Sequence, residues 1–251
     1  MVLDALGIFL LEISTGISLS LLFYPHRTIG KGFFSLHALI AFLALVPAAA
    51  ILARPPFRIA AAAAILALGA YGILARAGRG AAGRVWLAAS GLLQAALLAV
   101  RAGSIEPKEG VWLAGGAMVG ALLFGSAVLA MNLGHWYLVS RSLPMRLLSG
   151  AAAAFAVFAV ARVVLLAAAA LWASNREGWD MLTSLDREGL FFAFRVVWGL
   201  AGPLALSYFV FRTARMRSNQ AATGLLYVAL VFVLVGELLS AYLTVRTKFP
   251  A

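Results

Sequence analysis

Four ionisable side chains stand inside long hydrocarbon runs of this sequence: Glu12, Arg162, Arg195 and Glu237. An isolated charge at that depth in an apolar segment is costly, so such groups pair, neutralise or mark a functional path. Glu12, Arg162 and Glu237 each fall about half way along their runs, and Arg195 about one and a half turns in from the end of its own. Two carboxylates and two guanidinium groups sum to zero charge, and Arg162 is expected to pair with Glu237 or Glu12. The chemistry open to the set is a structural ion pair that specifies helix packing, a proton path, or a site for a polar head group. Carboxyls kept protonated in place are the remaining arrangement.

The histidines supply a second candidate. His26, His37 and His135 all fall toward one side of the apolar runs they border, and His37 and His135 lie about one turn inside. Equal depth admits a shared site: two imidazoles on facing helices ligate haem b or hydrogen-bond a quinone carbonyl, and Asn132, Tyr137 and Trp136 add polar and stacking groups beside His135. Asn132, one turn before His135, is expected on the same helix face. The competing explanation is that His, Trp and Tyr favour a membrane interface. With zero cysteines, disulfides, thiolate metal sites and covalent haem attachment are excluded, so a redox cofactor would be held non-covalently.

The familiar catalytic patterns fail. Gly78, Gly80 and Gly83 match the spacing of a dinucleotide fingerprint, but they sit in a basic connector between two apolar runs, without the strand, helix N-terminus and acidic partner that the chemistry requires. P-loop, HExxH, GxSxG and EF-hand patterns are missing, so no residue is assigned a catalytic or metal-binding role.

Eight apolar runs must position these residues, at about 3–24, 32–53, 59–76, 85–101, 111–139, 147–173, 190–212 and 223–245. About 20 apolar residues at 1.5 Å rise cross a hydrocarbon core of about 30 Å, and helices satisfy their own backbone there. The expected fold is therefore all-α, a polytopic integral membrane bundle of eight transmembrane helices forming a single transmembrane domain over 1–251. Composition agrees: 64% of residues are hydrophobic and 12% charged, with a mean hydropathy of +0.99. The first run carries Asp4 and Glu12 where a signal peptide would carry basic residues and pure hydrocarbon, and it is read as the first span.

The net charge of +11 is spread over connectors and does not form the stripe that nucleic acid requires. Connectors after the odd-numbered spans hold ten Lys and Arg and no acidic residue; the opposite connectors and ends hold eight, set against seven acidic residues. The positive-inside rule then places both termini outside a cytoplasmic (inner) membrane. Pro47 and Pro203 are expected to kink spans two and seven, and Gly116 and Gly120 to admit close helix approach. In the connector from Ser174 to Gly189, Trp179, Leu182 and Leu185 fall on one face of a short interfacial helix, as a membrane-hugging connector or a lid. Gly16 to His26 and Gly125 to His135 repeat one ten-residue offset in spans one and five, as two parallel four-span halves would.

In helix count the chain resembles the eight-helix membrane anchors of quinone-reactive oxidoreductases, a likeness of architecture that transfers no residue. The leading expectation is a bacterial-type inner-membrane subunit that binds quinone or haem b and supports electron or proton transfer for a larger complex. Such a subunit would not be a self-contained enzyme, and its partners would be the bilayer and other subunits. A small-solute or proton-coupled transporter is the alternative from a different class, and a ligand-free membrane scaffold or assembly factor is the third.

Overall fold

The protein is described from a computed structural model, which covers residues 1–52, 57–139, 143–173, 177–184 and 186–251. Among these residues the regular structure is helical: α1 (Val2–Leu21), α2 (His26–Ile29), α3 (Lys31–Leu52), α4 (Arg58–Arg76), α5 (Gly80–Gly103), α6 (Gly110–Val139), α7 (Arg146–Ala173), α8 (Glu177–Thr183), α9 (Arg187–Val196), α10 (Gly202–Arg215) and α11 (Asn219–Thr247). A π-turn over Val197–Ala201 joins α9 to α10, so these two form one span with α1, α3, α4, α5, α6, α7 and α11 as the others. Eight helical segments are thus long and apolar enough to cross a membrane. Their outward faces are bare hydrocarbon, with Leu43, Leu66, Leu92, Val157, Leu171 and Val231 all more than half exposed. In water that surface would drive aggregation; against acyl chains it is the expected finish.

Two ends of the bundle are distinguishable by charge. The basic end carries Arg27, Lys31, Arg76, Arg79, Arg84, Arg146, Arg212, Arg215 and Arg217; the mixed end carries acidic residues as well, and ion pairs there join Arg246 to Glu188 at 3.1 Å and Lys248 to Glu106 at 3.4 Å.

Helices α1 and α6 form the centre. They cross backbone to backbone, because Gly16 and Gly125 meet there: a Cβ on Gly16 would lie 1.8 Å from the Ala121 carbonyl oxygen, and one on Gly125 would lie 2.1 Å from that of Gly16. Around this axis the order of packing repeats. In the first half α1 packs on α3, α3 on α4, α4 on α5 and α5 back on α1; in the second, α6 packs on α7, α7 on α10, α10 on α11 and α11 back on α6. The cross-contacts match as well, since α5 touches α6 as α11 touches α1. The offset shared by Gly16 and Gly125 therefore marks equivalent helices that face each other. It does not extend to the histidines: His26 stacks on Phe34 at 3.7 Å between ring centroids in the α2 connector, whereas His135 lies on α6.

The connector before α9 folds onto the bundle. Leu182 is buried, Trp179 packs its ring 5.5 Å from that of Phe249 and 6.0 Å from that of Phe192, and Leu185 lies outside the described residues. The apolar face expected to lie on lipid is spent on the protein's own mixed end.

Candidate functional site

All four intramembrane charges occupy one layer. Counted from the mixed-end termini of α1, α7, α9 and α11, Glu12, Arg162, Arg195 and Glu237 lie about 12 to 17 Å deep at 1.5 Å per residue. Each is at most 3% exposed, and Arg162 and Arg195 are among the largest fully buried side chains of the chain. Glu237 is the hub. Its Oε1 accepts from Arg195 Nη2 at 2.9 Å and from Arg162 Nε at 3.4 Å, and its Oε2 accepts from Arg162 Nη2 at 3.2 Å. Arg162 Nη2 also donates to Ser240 Oγ at 2.6 Å and to the main-chain oxygen of Ala251 at 2.9 Å, an oxygen that Ser240 Oγ reaches too. Of the two partners expected for Arg162, the structure places Glu237 in direct contact. Arg195 joins the same carboxylate and turns a pair into a triad.

Room for so much charge comes from missing side chains. A Cβ on Gly120 of α6 would stand 2.5 Å from Glu237 Oε2, and one on Gly116 would stand 3.4 Å from Arg162 Nη1. On the other flank Gly199 and Gly236 bring the π-turn and α11 together, where a Cβ on either would fall 2.5 or 2.4 Å from the Cα of the other and within 3.0 Å of Arg195 Nη1. Gly116 and Gly120 thus admit the guanidinium–carboxylate layer as well as close packing of helices.

Pro203 explains the π-turn and part of the role of Arg195. Proline has no N–H for the carbonyl four residues back, here Gly199. Arg195 Nη1 donates to the Gly199 oxygen at 2.9 Å and fills the vacancy. The kink expected at Pro203 is realised as a widened turn whose orphaned carbonyl is capped by a charge from within the membrane layer.

The layer is not fully satisfied. Glu12 Oε2, Arg162 Nη1 and Arg195 Nε are buried without a hydrogen-bond partner among the described residues. Glu12 and Arg162 line one cavity of about 10 Å³, with Ser240, Thr244 and Ala251, on the mixed-end side of the triad. That is close to the smallest volume that holds a water, and its polar lining offers such a water several partners. Toward the basic end α1 continues in small hydroxyls. Ser14 Oγ is buried without a partner, Thr15 Oγ1 donates to Leu11 O at 2.7 Å, and Ser18 Oγ accepts from Gln94 Nε2 at 3.3 Å. Gln94 Nε2 also donates to Ser90 Oγ at 2.8 Å, and Ser90 Oγ donates in turn to Ala64 O at 2.7 Å. Sequence reasoning missed this thread, although a glutamine in mid-span with a serine one turn before it was visible.

The structure brings His37 to Asn132 and His135 to a different partner. His37 is fully buried, its Nδ1 donates to Phe33 O at 2.7 Å, and its Nε2 accepts from Asn132 Nδ2 at 3.0 Å. His135 is exposed, with its Nδ1 3.4 Å from the Tyr227 hydroxyl on α11. Asn132 and His135 differ by about 60° around α6, enough for one to reach α3 and the other α11. His37 and His135 therefore do not face each other across a pocket. Tyr137 is occupied elsewhere, since its hydroxyl donates to Pro144 O and ties α6 to the chain entering α7. With both ring nitrogens of His37 engaged, the paired-imidazole arrangement that haem b would need is not formed by these residues.

One histidine outside the spans is also structured. His26 Nε2 lies 2.9 Å from the Tyr71 hydroxyl, and burial together with the Arg84 guanidinium holds its imidazole below the usual range. Arg84 itself donates to Leu22 O and fixes the α1–α3 connector over α5.

Among the described residues no group of three or more His, Asp or Glu could hold a metal ion. Comparison with family models, curated proteins and solved structures found no match for this chain, so what the layer does is argued from its own geometry.

Proposed function

We propose that this chain is a proton-coupled membrane carrier in which Glu12 exchanges the proton and the Arg162–Glu237–Arg195 triad supplies fixed countercharge. The observation that carries this reading is the unpartnered Glu12 carboxyl oxygen at mid-depth, on a side chain that lines one water-sized cavity together with Arg162, whose Nη1 is also unpartnered. A purely structural ion pair gains by satisfying every polar atom; oppositely charged side chains with open positions beside one cavity suit a site that gains and loses a proton. The repeated packing of two four-span halves about α1 and α6 is the organisation by which carriers open alternately to either side. Glu12 is the one charge of the layer that comes from the first half.

The membrane is a cytoplasmic (inner) membrane in this proposal, with the basic end inside. Purified protein in vesicles loaded with a pH-sensitive dye tests it: under an imposed potential, wild-type vesicles should acidify faster than Glu12→Gln vesicles, and Arg246→Gln should behave as wild type. Equal rates in wild type, Glu12→Gln and empty vesicles would make the layer a structural clamp. A cytoplasm-only reporter fused after Ala251 should be silent, and activity there would reverse the orientation.

A second reading, a quinone-binding subunit of a larger oxidoreductase, is favoured by His135 and Tyr227. Both are exposed on the lipid side near the basic end and 3.4 Å apart, a donor pair that a quinone diffusing in the bilayer would meet. Quinone that co-purifies with wild type and is lost in His135→Ala would support it; protein free of quinone would exclude it.

A further inference from the structure

Two neighbouring hollows open at the basic end between α3 and α4. The first is a cleft of about 500 Å³ along the lipid-facing surface, walled by Leu39 and Phe42 of α3 and by Leu68, Gly69 and Ile73 of α4, and closed at its polar end by Ser35 and Arg76. The cleft exists because α4 presents glycine there. A Cβ on Gly72 would only touch Ala38 Cβ at 3.6 Å and one on Gly69 only Phe42 at 3.7 Å, so both positions have room for a side chain and carry none. The second hollow, of about 160 Å³, is lined by His26, Arg27, Lys31, Phe34, Ala75 and Gly78. The two are neighbours along both helices: Phe34 and Ala75 line the polar hollow, and the next residue of each helix, Ser35 and Arg76, lines the cleft.

Charge at this junction is one-sided. Arg27, Lys31 and Arg76 are exposed, and none of them has an acidic partner among the described residues. The connectors of this end contain no Asp or Glu at all. His26 Nδ1 is buried at the same place without a hydrogen-bond partner. An occupant must therefore be apolar along about two turns of helix, lie in the plane of the bilayer surface at its head, and carry negative charge and acceptor oxygens there.

We propose that this junction is a binding site for one anionic glycerophospholipid, with an acyl chain in the α3–α4 cleft and the phosphate held between Arg76, Lys31 and Arg27. The basic side chains supply the electrostatic attraction, and the missing side chains of Gly69 and Gly72 supply the acyl groove. The site is separate from the charged layer and does not depend on it.

Delipidated full-length protein in a neutral detergent, titrated with phosphatidylglycerol or phosphatidylcholine and followed by native mass spectrometry, tests the proposal. Phosphatidylglycerol should be retained at a stoichiometry of about one, and phosphatidylcholine at least about tenfold more weakly. Lys31→Gln with Arg76→Gln should remove that preference, while Gly72→Leu should weaken retention of phosphatidylglycerol with all charges in place. Arg215→Gln with Arg217→Gln, at the same end but away from the cleft, should leave retention unchanged. Equal retention of both lipids, or equal losses in the Lys31/Arg76 and Arg215/Arg217 variants, would reduce the site to a general annulus and overturn the proposal. So would displacement of the lipid by inorganic phosphate at its own binding concentration with Gly72→Leu silent, which would mean an anion site without a lipid.

Discussion

Glu237 carries more of the layer than either arginine, and a mutant cycle measures how much. In wild type its carboxylate receives three hydrogen bonds from two guanidinium groups. Glu237→Leu leaves both cations buried without that partner, a change worth about 3–5 kcal/mol when a buried pair is broken. Arg162→Met is milder, because Arg195 stays on Glu237 at 2.9 Å; losing charge-assisted bonds of this kind costs about 1.5–3 kcal/mol. The double variant leaves one guanidinium instead of two to strand, so its cost should fall short of the sum by about 2 kcal/mol. Reversible unfolding in mixed micelles, followed by tryptophan fluorescence, reads all three values. Additivity within about 0.5 kcal/mol, or Glu237→Leu costing no more than Arg162→Met, would refute the argument. A coupling near 0.6 kcal/mol, the size of neutral hydrogen bonds between membrane helices, would mean that Glu237 holds a proton rather than a charge.

Three further outcomes follow from single contacts. Arg195→Met should cost about 1 kcal/mol less in a Pro203→Ala background than in wild type, because alanine returns an N–H for the Gly199 carbonyl that Arg195 now caps; equal costs in the same micelle assay would separate the two residues. Gly125→Ala should destabilise by about 3 kcal/mol or more through the α1–α6 backbone contact, whereas Gly150→Ala, with open space around it, should stay within about 0.5 kcal/mol; comparable melting shifts for the two would deny the crossing. Since burial and Arg84 lower the His26 pKa in the fold, the unfolded chain binds its proton first as pH falls. The His26 contribution is thus complete above about 6.5 and is lost as pH drops through the lowered folded value. His26→Phe, which keeps the stack on Phe34, should flatten thermal stability across that window, and an unchanged acid slope would exclude His26 as its source.

Depth was legible in the sequence and azimuth was not. Span length and hydropathy located the eight helices to within a few residues, because connectors such as Pro25 to Gly30 and Ala77 to Arg79 interrupt runs that the bilayer requires to be long. The same rise per residue put Glu12, Arg162 and Glu237 about half way along their spans and Arg195 nearer the end of its own, and the start of α9 at Arg187, ahead of the expected span, brings Arg195 level with the others. Which groups touch depends on rotation about each helix axis, and in soluble proteins that rotation is read from an apolar stripe. Helices α6, α7 and α11 are apolar all round, so no stripe says whether Arg162 turns toward Glu12 or Glu237, or whether His135 turns toward α3 or α11. Where a helix has little to distinguish its faces, the informative residues are the small ones. Gly116, Gly120, Gly199 and Gly236 mark the walls of the layer, and their spacing alone did not say that they enclose charge rather than another backbone.

The two halves share an order of packing but not a chemistry. Arg162, Arg195 and Glu237 all belong to the second half, as do the four glycines that make room for them. In the first half mid-span polarity is neutral, the Ser18–Gln94–Ser90 thread, apart from Glu12. A charge bonded within its own half moves with that half as a rigid body, so tilting one half against the other leaves the triad intact. Glu12 sits on α1, four residues from the Gly16 contact about which such a tilt would turn, and on the proposed reading it alone changes its distance to the triad. Protonation of that single carboxyl is then the event that biases the tilt, because a neutral Glu12 loses its attraction to Arg162 while the bonds within the second half keep theirs.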